Sequence, residues 1–207
     1  MTNLFLIRHG LTEWNQLNRF QGSSNIPLCD EGIEQAKKIS RKLSRYHFDV
    51  VFASDLDRAF QTATYIAQPH QLPVIKIPEL REIHFGEWEG LTREEIVNLK
   101  DYDFDKWRTS PHIERFPGEG SFLNVQKRVM SGINKIISEY NNKDIVIVSH
   151  GASLKIIILS LLGIELSHYR KFWLDNTSLS IIEIRKDRNV LSLLNDMSHL
   201  DSNNQQS

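Results

Sequence analysis

The sequence predicts an α/β fold, a three-layer sandwich with a mostly parallel central sheet and helices on both faces. Three observations predict it. Short β-branched apolar runs recur at wide intervals, at 4–7, 50–53, 74–77 and 145–149. Each run is nearly continuous in apolar residues, the pattern of strands covered on both faces. The stretches between them carry apolar residues at helical spacing, and strands separated by helices build a largely parallel sheet.

The elements follow in order. The first run leads directly into Arg8, His9 and Gly10. Asp30 is placed to cap a helix that aligns Ile33, Ala36, Ile39 and Leu43 on one face. After the second run, Ser54 or Asp55 can start a helix that continues through Arg58 to Ala67. Thr92-Arg93-Glu94-Glu95 has the capping-box pattern. Phe122, Val125, Val129, Ile133, Ile136 and Tyr140 mark a long amphipathic helix. The stretch 151–162 is apolar nearly all round, which predicts a central, buried helix. Residues 178–184 alternate and can pair with 190–194 through a turn at Asp187-Arg188-Asn189, as an antiparallel edge.

Of the 207 residues, 40% are hydrophobic and 25% charged, enough for one well-buried core. The expected organisation is a single domain over 1–200 and a polar, disordered tail over 201–207. Net charge is -1 and no long basic stretch occurs, so a nucleic-acid partner is not expected. The only cysteine, Cys29, cannot form an internal disulfide, fits a cytoplasmic location and reads as a packing or surface residue. The N-terminus lacks the basic region of a signal peptide. The most apolar later stretch, 156–164, falls far short of the roughly 20 residues that span a bilayer, so no membrane partner is expected. No HExxH, CxxC or acidic calcium loop is present, which predicts no metal and no cofactor. No exposed apolar stripe points to a particular oligomer.

In open α/β sheets, ligands bind beyond the carboxyl ends of the strands. Arg8 and His9 follow the first strand, Ser54, Asp55 and Arg58 the second, His150 and Gly151 the fourth. Two arginines and two histidines therefore converge on one sheet edge from distant parts of the chain. Arginine forks match phosphate oxygens, and helix N-termini add N–H donors. A neutral histidine held in one tautomer can accept a phosphoryl group. Phosphoryl transfer needs mainly positioning and neutralisation of the equatorial oxygens, which arginines provide without a metal. Each residue alone has an ordinary explanation as a surface or strand-end group; their joint placement is the signal.

Arg8-His9-Gly10, followed by Thr12-Glu13-Trp14-Asn15, resembles the signature of the histidine phosphatase superfamily, the phosphoglycerate mutase-like proteins. Gln21-Gly22 with Pro27-Leu28, the block 54–63, the block 80–90 and Ser149-His150-Gly151 match in order, over about residues 3 to 195. An Arg-His-Gly triplet arises by chance in roughly one chain in a hundred, but the blocks together are specific. The resemblance implies a phosphoglycerate mutase-like fold. It implies that His9 is the nucleophile, that Arg8, Arg58 and His150 hold the phosphate, and that Asn15, Gln21, Gly22 and Gly151 assist. It makes Glu82 the general acid and then the base. That role calls for a raised pKa, which the apolar neighbours Ile83, Phe85 and Trp88 could supply by desolvation. Leu11 is a departure, since many relatives carry an acid there.

The family contains hydrolases and mutases. The cover expected over the site, 86–120, holds nine acids and five bases, a net of five minus nine, or -4. Such a cover suits a bisphosphate poorly. The segment is shorter than the mutases' insertion and lacks their paired arginines. Trp88, Tyr102, Phe104, Trp107 and Phe116 can either anchor the cover to the core or form an apolar wall beside the phosphate. The resemblance is strongest to the bacterial broad-specificity and α-ribazole phosphatases. The expected activity is cofactor-independent hydrolysis of small phosphate monoesters with loose leaving-group selection. Alternatives are an α-ribazole-5'-phosphate phosphatase, a cofactor-dependent phosphoglycerate mutase and, more distantly, a non-catalytic phospho-ligand module.

Overall fold

The computed structural model describes residues 1–99 and 102–201. The expected tail lies outside the described residues from 202 onward, as do Lys100 and Asp101 of the cover. Six strands, β1 (Thr2–Arg8), β2 (Val50–Ala53), β3 (Val74–Lys76), β4 (Asp144–Ser149), β5 (Leu179–Ile184) and β6 (Asn189–Asp196), form one sheet in the order β3-β2-β4-β1-β5-β6. The first four strands in that order pair in parallel. β5 runs antiparallel to β1, and β6 antiparallel to β5, so the expected hairpin is the sheet's antiparallel edge. β3 ends one residue early, although Ile77 N–H still donates to Ala53 O at 2.8 Å.

The helices are α1 (Glu13–Gln16), α2 (Asp30–Leu43), α3 (Asp57–Ala67), α4 (Arg93–Val97), α5 (Phe104–Thr109), α6 (Phe122–Glu139) and α7 (Gly151–Leu161). Strand periodicity divides the core between two layers. Phe5, Ile7, Val51, Ala53, Val146 and Val148 pack with Ile39 and Leu43 of α2 and Ala59, Ala63 and Ile66 of α3. The alternate residues Leu4, Leu6, Val50, Phe52, Ile145 and Ile147 face α6 and α7. This second layer extends into the cover, where Trp88, Phe104 and Phe116 are buried.

Two helix starts differ from expectation. Cys29, not Asp30, is the N-cap of α2, and no side chain caps that end. Asp30 lies in the first turn, where a carboxylate suits the helix dipole. α3 begins after Leu56, because Ser54 and Asp55 are committed elsewhere. Ser54 faces His150, and Asp55 makes a bidentate pair with Arg81. The Thr92 capping box forms as expected, and Tyr140 ends α6 as its C-cap.

Candidate active site

β1 delivers Arg8 and His9 to the carboxyl edge of the sheet, beside β4, whose end delivers His150. Gly10 allows the chain to turn there. A Cβ on Gly10 would stand 2.5 Å from Gly32 O, and one on Gly32 would stand 2.0 Å from Leu11 O. The loop after β1 thus packs backbone to backbone against the first turn of α2, which only glycine permits at both positions.

His9 is 3% exposed. Its Nδ1 lies 2.7 Å from Gly10 O, and Arg58 Nε donates to its Nε2 at 3.3 Å. A carbonyl can only accept, so the ring proton sits on Nδ1 and the lone pair on Nε2. Burial, then Arg58 and Arg8, hold the His9 pKa well below the ordinary histidine value, so the ring is neutral at pH 7. Behind it, Gly10 N–H donates to Thr62 Oγ and Asn176 Nδ2 donates to His9 O. Thr177 N–H donates to Arg8 O at 3.0 Å, from a left-handed backbone with φ 57°.

Arg58, at the second position of α3, is fully buried. Its Nη1 and Nη2 donate to Ser24 O and Gly22 O, both at 2.7 Å. Burial lowers its pKa to about 10, which leaves it charged at neutral pH. Arg8 Nη1 donates to Leu174 O, while its buried Nε has no partner among the described residues. Gly151 lies close to that Nε; a Cβ there would be 3.3 Å away.

His150 is buried with its ring centroid 5.1 Å from that of His9. Leu56 N–H donates to Ser54 Oγ, which also lies 2.8 Å from His150 Nε2. Its Nδ1 is buried with no partner among the described residues. Burial, with Arg58 and His9, lowers the His150 pKa well below its ordinary value.

Glu82 is held from α7. Its carboxylate accepts from Ala152 N–H and Ser153 N–H, both at 3.0 Å, from Ser153 Oγ and from Ile83 N–H. Of the apolar neighbours expected around it, Phe85 lines the same cavity as Glu82, while Ile83 and Trp88 are wholly buried in the core. Arg128 fixes the segment that carries Glu82 by donating to the carbonyls of Glu79, Arg81 and Glu82, and it is itself paired with Glu119.

Asn15 and Gly22 support neighbouring groups of the site. Asn15 completes the Thr12 capping box and accepts from Asn176, and Gly22, with φ 51°, offers its carbonyl to Arg58. Gln21 is buried.

A cavity of about 410 Å³ opens at this edge, lined by Arg8, Glu82 and Gly151 and by a wall that the sequence did not reveal. Lys155, Tyr169, Arg170 and Trp173 come from α7 and the segment after it, and Arg108 and Trp107 from α5. One signal for Lys155 was present, a lone cation in an otherwise apolar helix. The cover's acidity does not reach the cavity. Glu89 is bound by Ser23, Ser24 and His84, Glu119 by Arg128, and Glu95 by Thr92 and Arg19. Among the described residues, four cations and one acid line the cavity, so the net charge of the cover misleads about its interior and carries no argument against a mutase. The aromatic set splits: Trp88, Phe104 and Phe116 anchor the cover, and Trp107 faces the cavity. Among the described residues, no group of three or more His, Cys, Asp or Glu is placed to hold a metal ion, and no helix is long and apolar enough to cross a membrane.

Known proteins resemble this chain over nearly its whole length. The sequence profile of the histidine phosphatase superfamily (branch 1) matches residues 4–197. The chain is 37% identical over 200 residues to phosphoserine phosphatase 1 of Hydrogenobacter thermophilus, covering 97% of this chain and 95% of that protein. It is 33% identical to the adenosylcobalamin/alpha-ribazole phosphatase of Escherichia coli, over 93% of this chain and 95% of the relative. A crystal structure of phosphoserine phosphatase from Entamoeba histolytica with 3-phosphoglyceric acid superimposes with a TM-score of 0.87 at 37% identity, covering 97% of this chain and all of that one.

Proposed function

The chain belongs to the histidine phosphatase superfamily, and from that premise we propose that it hydrolyses small phosphate monoesters through a phosphohistidine on His9, with phosphoserine-like esters as its first candidates. The observation that carries the mechanism is the unprotonated Nε2 of His9, buried among Arg58, Arg8 and His150. In the first step Nε2 bonds to phosphorus, and the ester P–O bond breaks. Arg8 Nε and, with its ring proton on Nδ1, His150 are the buried donors for the transferring oxygens. Glu82 gives its proton to the departing alcohol oxygen. In the second step water attacks the phosphohistidine, Glu82 takes a proton from it, and phosphate leaves with His9 restored.

Hydrolysis of small phosphate monoesters accords with the relatives. The phosphoserine preference is drawn from relatives that act on or bind phosphoserine and 3-phosphoglycerate. Aromatic faces in the wall give non-directional contact, so several alcohols fit. We place the reaction in one domain spanning 1–200 and, from the single cysteine, in the cytoplasm. The test is a panel of phosphate monoesters that includes phosphoserine, α-ribazole 5'-phosphate and 3-phosphoglycerate, with free phosphate and 2-phosphoglycerate both followed. Phosphate release without isomer is expected. Isomer without comparable phosphate release would overturn hydrolysis in favour of a mutase.

A further inference from the structure

Lys155 lies on α7 four residues after Gly151 and three after Ala152, on the face that borders the cavity. It is 5% exposed. Its ammonium lies 3.9 Å from the ring centroid of Tyr169, 5.2 Å from Trp173 and 5.6 Å from Phe172. Among the described residues it has no carboxylate partner. The one acid among the described residues of the cavity, Glu82, already accepts from two backbone N–H groups of α7. An ammonium largely withdrawn from water without a counter-ion is costly, and ring faces offset only part of that cost. Burial, and then the charge of Arg170, draw its pKa down to about 8, with Glu82 acting against them and Arg8 with them. A lysine that only packed the helix would be replaceable by an apolar residue, as at its neighbours Leu154 and Ile156.

We infer that Lys155 is a specificity-determining residue, whose ammonium pairs with a carboxylate on the leaving alcohol of the substrate. The inference rests on the monoesterase reading above and goes beyond it by assigning the residue that selects the alcohol. The placement supports it. Gly151 approaches Arg8 Nε at one end of the first turn of α7, and Lys155 stands one turn further along the same wall. A small alcohol whose phosphate lies at Arg8 therefore extends towards Lys155, with Arg108 and Arg170 on the same cavity. Hydrolysis then releases a hydroxy acid, so the reaction that supplies the substrate is one that makes or phosphorylates such an acid.

Matched esters test the assignment. Phosphoserine is compared with phosphoethanolamine, and 3-phosphoglycerate with glycerol 3-phosphate; each pair differs in the carboxylate. Wild-type enzyme is expected to favour the carboxylated member of each pair in kcat/KM by about tenfold or more. Lys155→Met should lose about 30-fold on the carboxylated esters, mostly in KM, and less than about threefold on the others, the loss expected on removing one partner of a desolvated charge pair. Equal losses on both members would show a packing role and overturn the inference. Lys155→Gln repeats the test if the methionine variant does not fold, and the wild-type ratio needs no variant at all. Wild-type enzyme that hydrolyses p-nitrophenyl phosphate without discriminating within the pairs overturns the role of Lys155 and leaves the monoesterase reading intact. Failure on every ester overturns both.

Discussion

The phosphate end of the site and its leaving-group wall are built by different means. At the phosphate end, Arg8, His9 and Arg58 emerge at a strand end or helix start and are fixed by backbone. Arg58 holds two carbonyls, His9 holds Gly10 O, and Arg8 holds Leu174 O. The wall is assembled from side chains of α5, α7 and 166–174, and its buried lysine, Lys155, meets ring faces rather than a carboxylate. Backbone fixation leaves one geometry for the chemistry; side-chain assembly allows the alcohol to vary. Substitutions should therefore separate the two ends: changes at the first remove turnover for every ester, and changes at the second re-sort esters.

The largest expected effect is at His9. His9→Ala should lower kcat by about 10⁴-fold or more on every ester, because the covalent route is removed. The fold should survive, since β1 and its pairings do not depend on the ring. Residual turnover within tenfold of wild type would refute the nucleophile. Glu82 lies between the ends, on the cavity yet bound to α7. Glu82→Gln should cost about 10²- to 10⁴-fold on alkyl esters, the range for a lost general acid. On p-nitrophenyl phosphate, whose leaving group needs no proton, the first step should change far less. Equal losses on the two ester types would remove Glu82 from proton transfer.

The same division decides what the sequence could reveal. The strands were legible because each is an apolar run, and β2 matches its expected bounds. The convergence of Arg8, His9, Arg58 and His150 was legible because the edge of a parallel sheet gathers whatever follows its strands. Helix starts were less so: Asp30 and Ser54 are good capping residues, yet Cys29 and Leu56 occupy those positions, because Ser54 is drawn to His150. Thr177 supports β1 from a left-handed backbone that a β-branched residue rarely adopts, and nothing in the local sequence announces it. The wall was illegible for a different reason. The cover beside it is acidic over 86–120, but partners elsewhere in the fold take up acids such as Glu119 and Glu89. Which charges face a cavity depends on tertiary pairing, which a count along the chain does not contain.

The smallest expected effect also separates the two ends, through acid stability. His9 and His150 are both buried and neutral, with pKa values pulled well below the ordinary value by burial first and then by nearby charge, Arg58 foremost. In the unfolded chain both would take protons near pH 6.5. The unfolded state thus binds more protons below that pH, and stability falls as pH drops from about 6.5 towards the lower folded values. Between pH 6.5 and 5.5 each such histidine should cost about 1 kcal/mol. His70 and His199 are also shifted downward, so the difference between variants is the informative quantity. Urea unfolding across this range should show His9→Ala losing about 1 kcal/mol less than wild type on acidification, with Lys155→Met following wild type. If His9→Ala and wild type lose stability in parallel, His9 takes its proton as readily folded as unfolded. The phosphate end would then not hold the neutral nucleophile that its geometry implies.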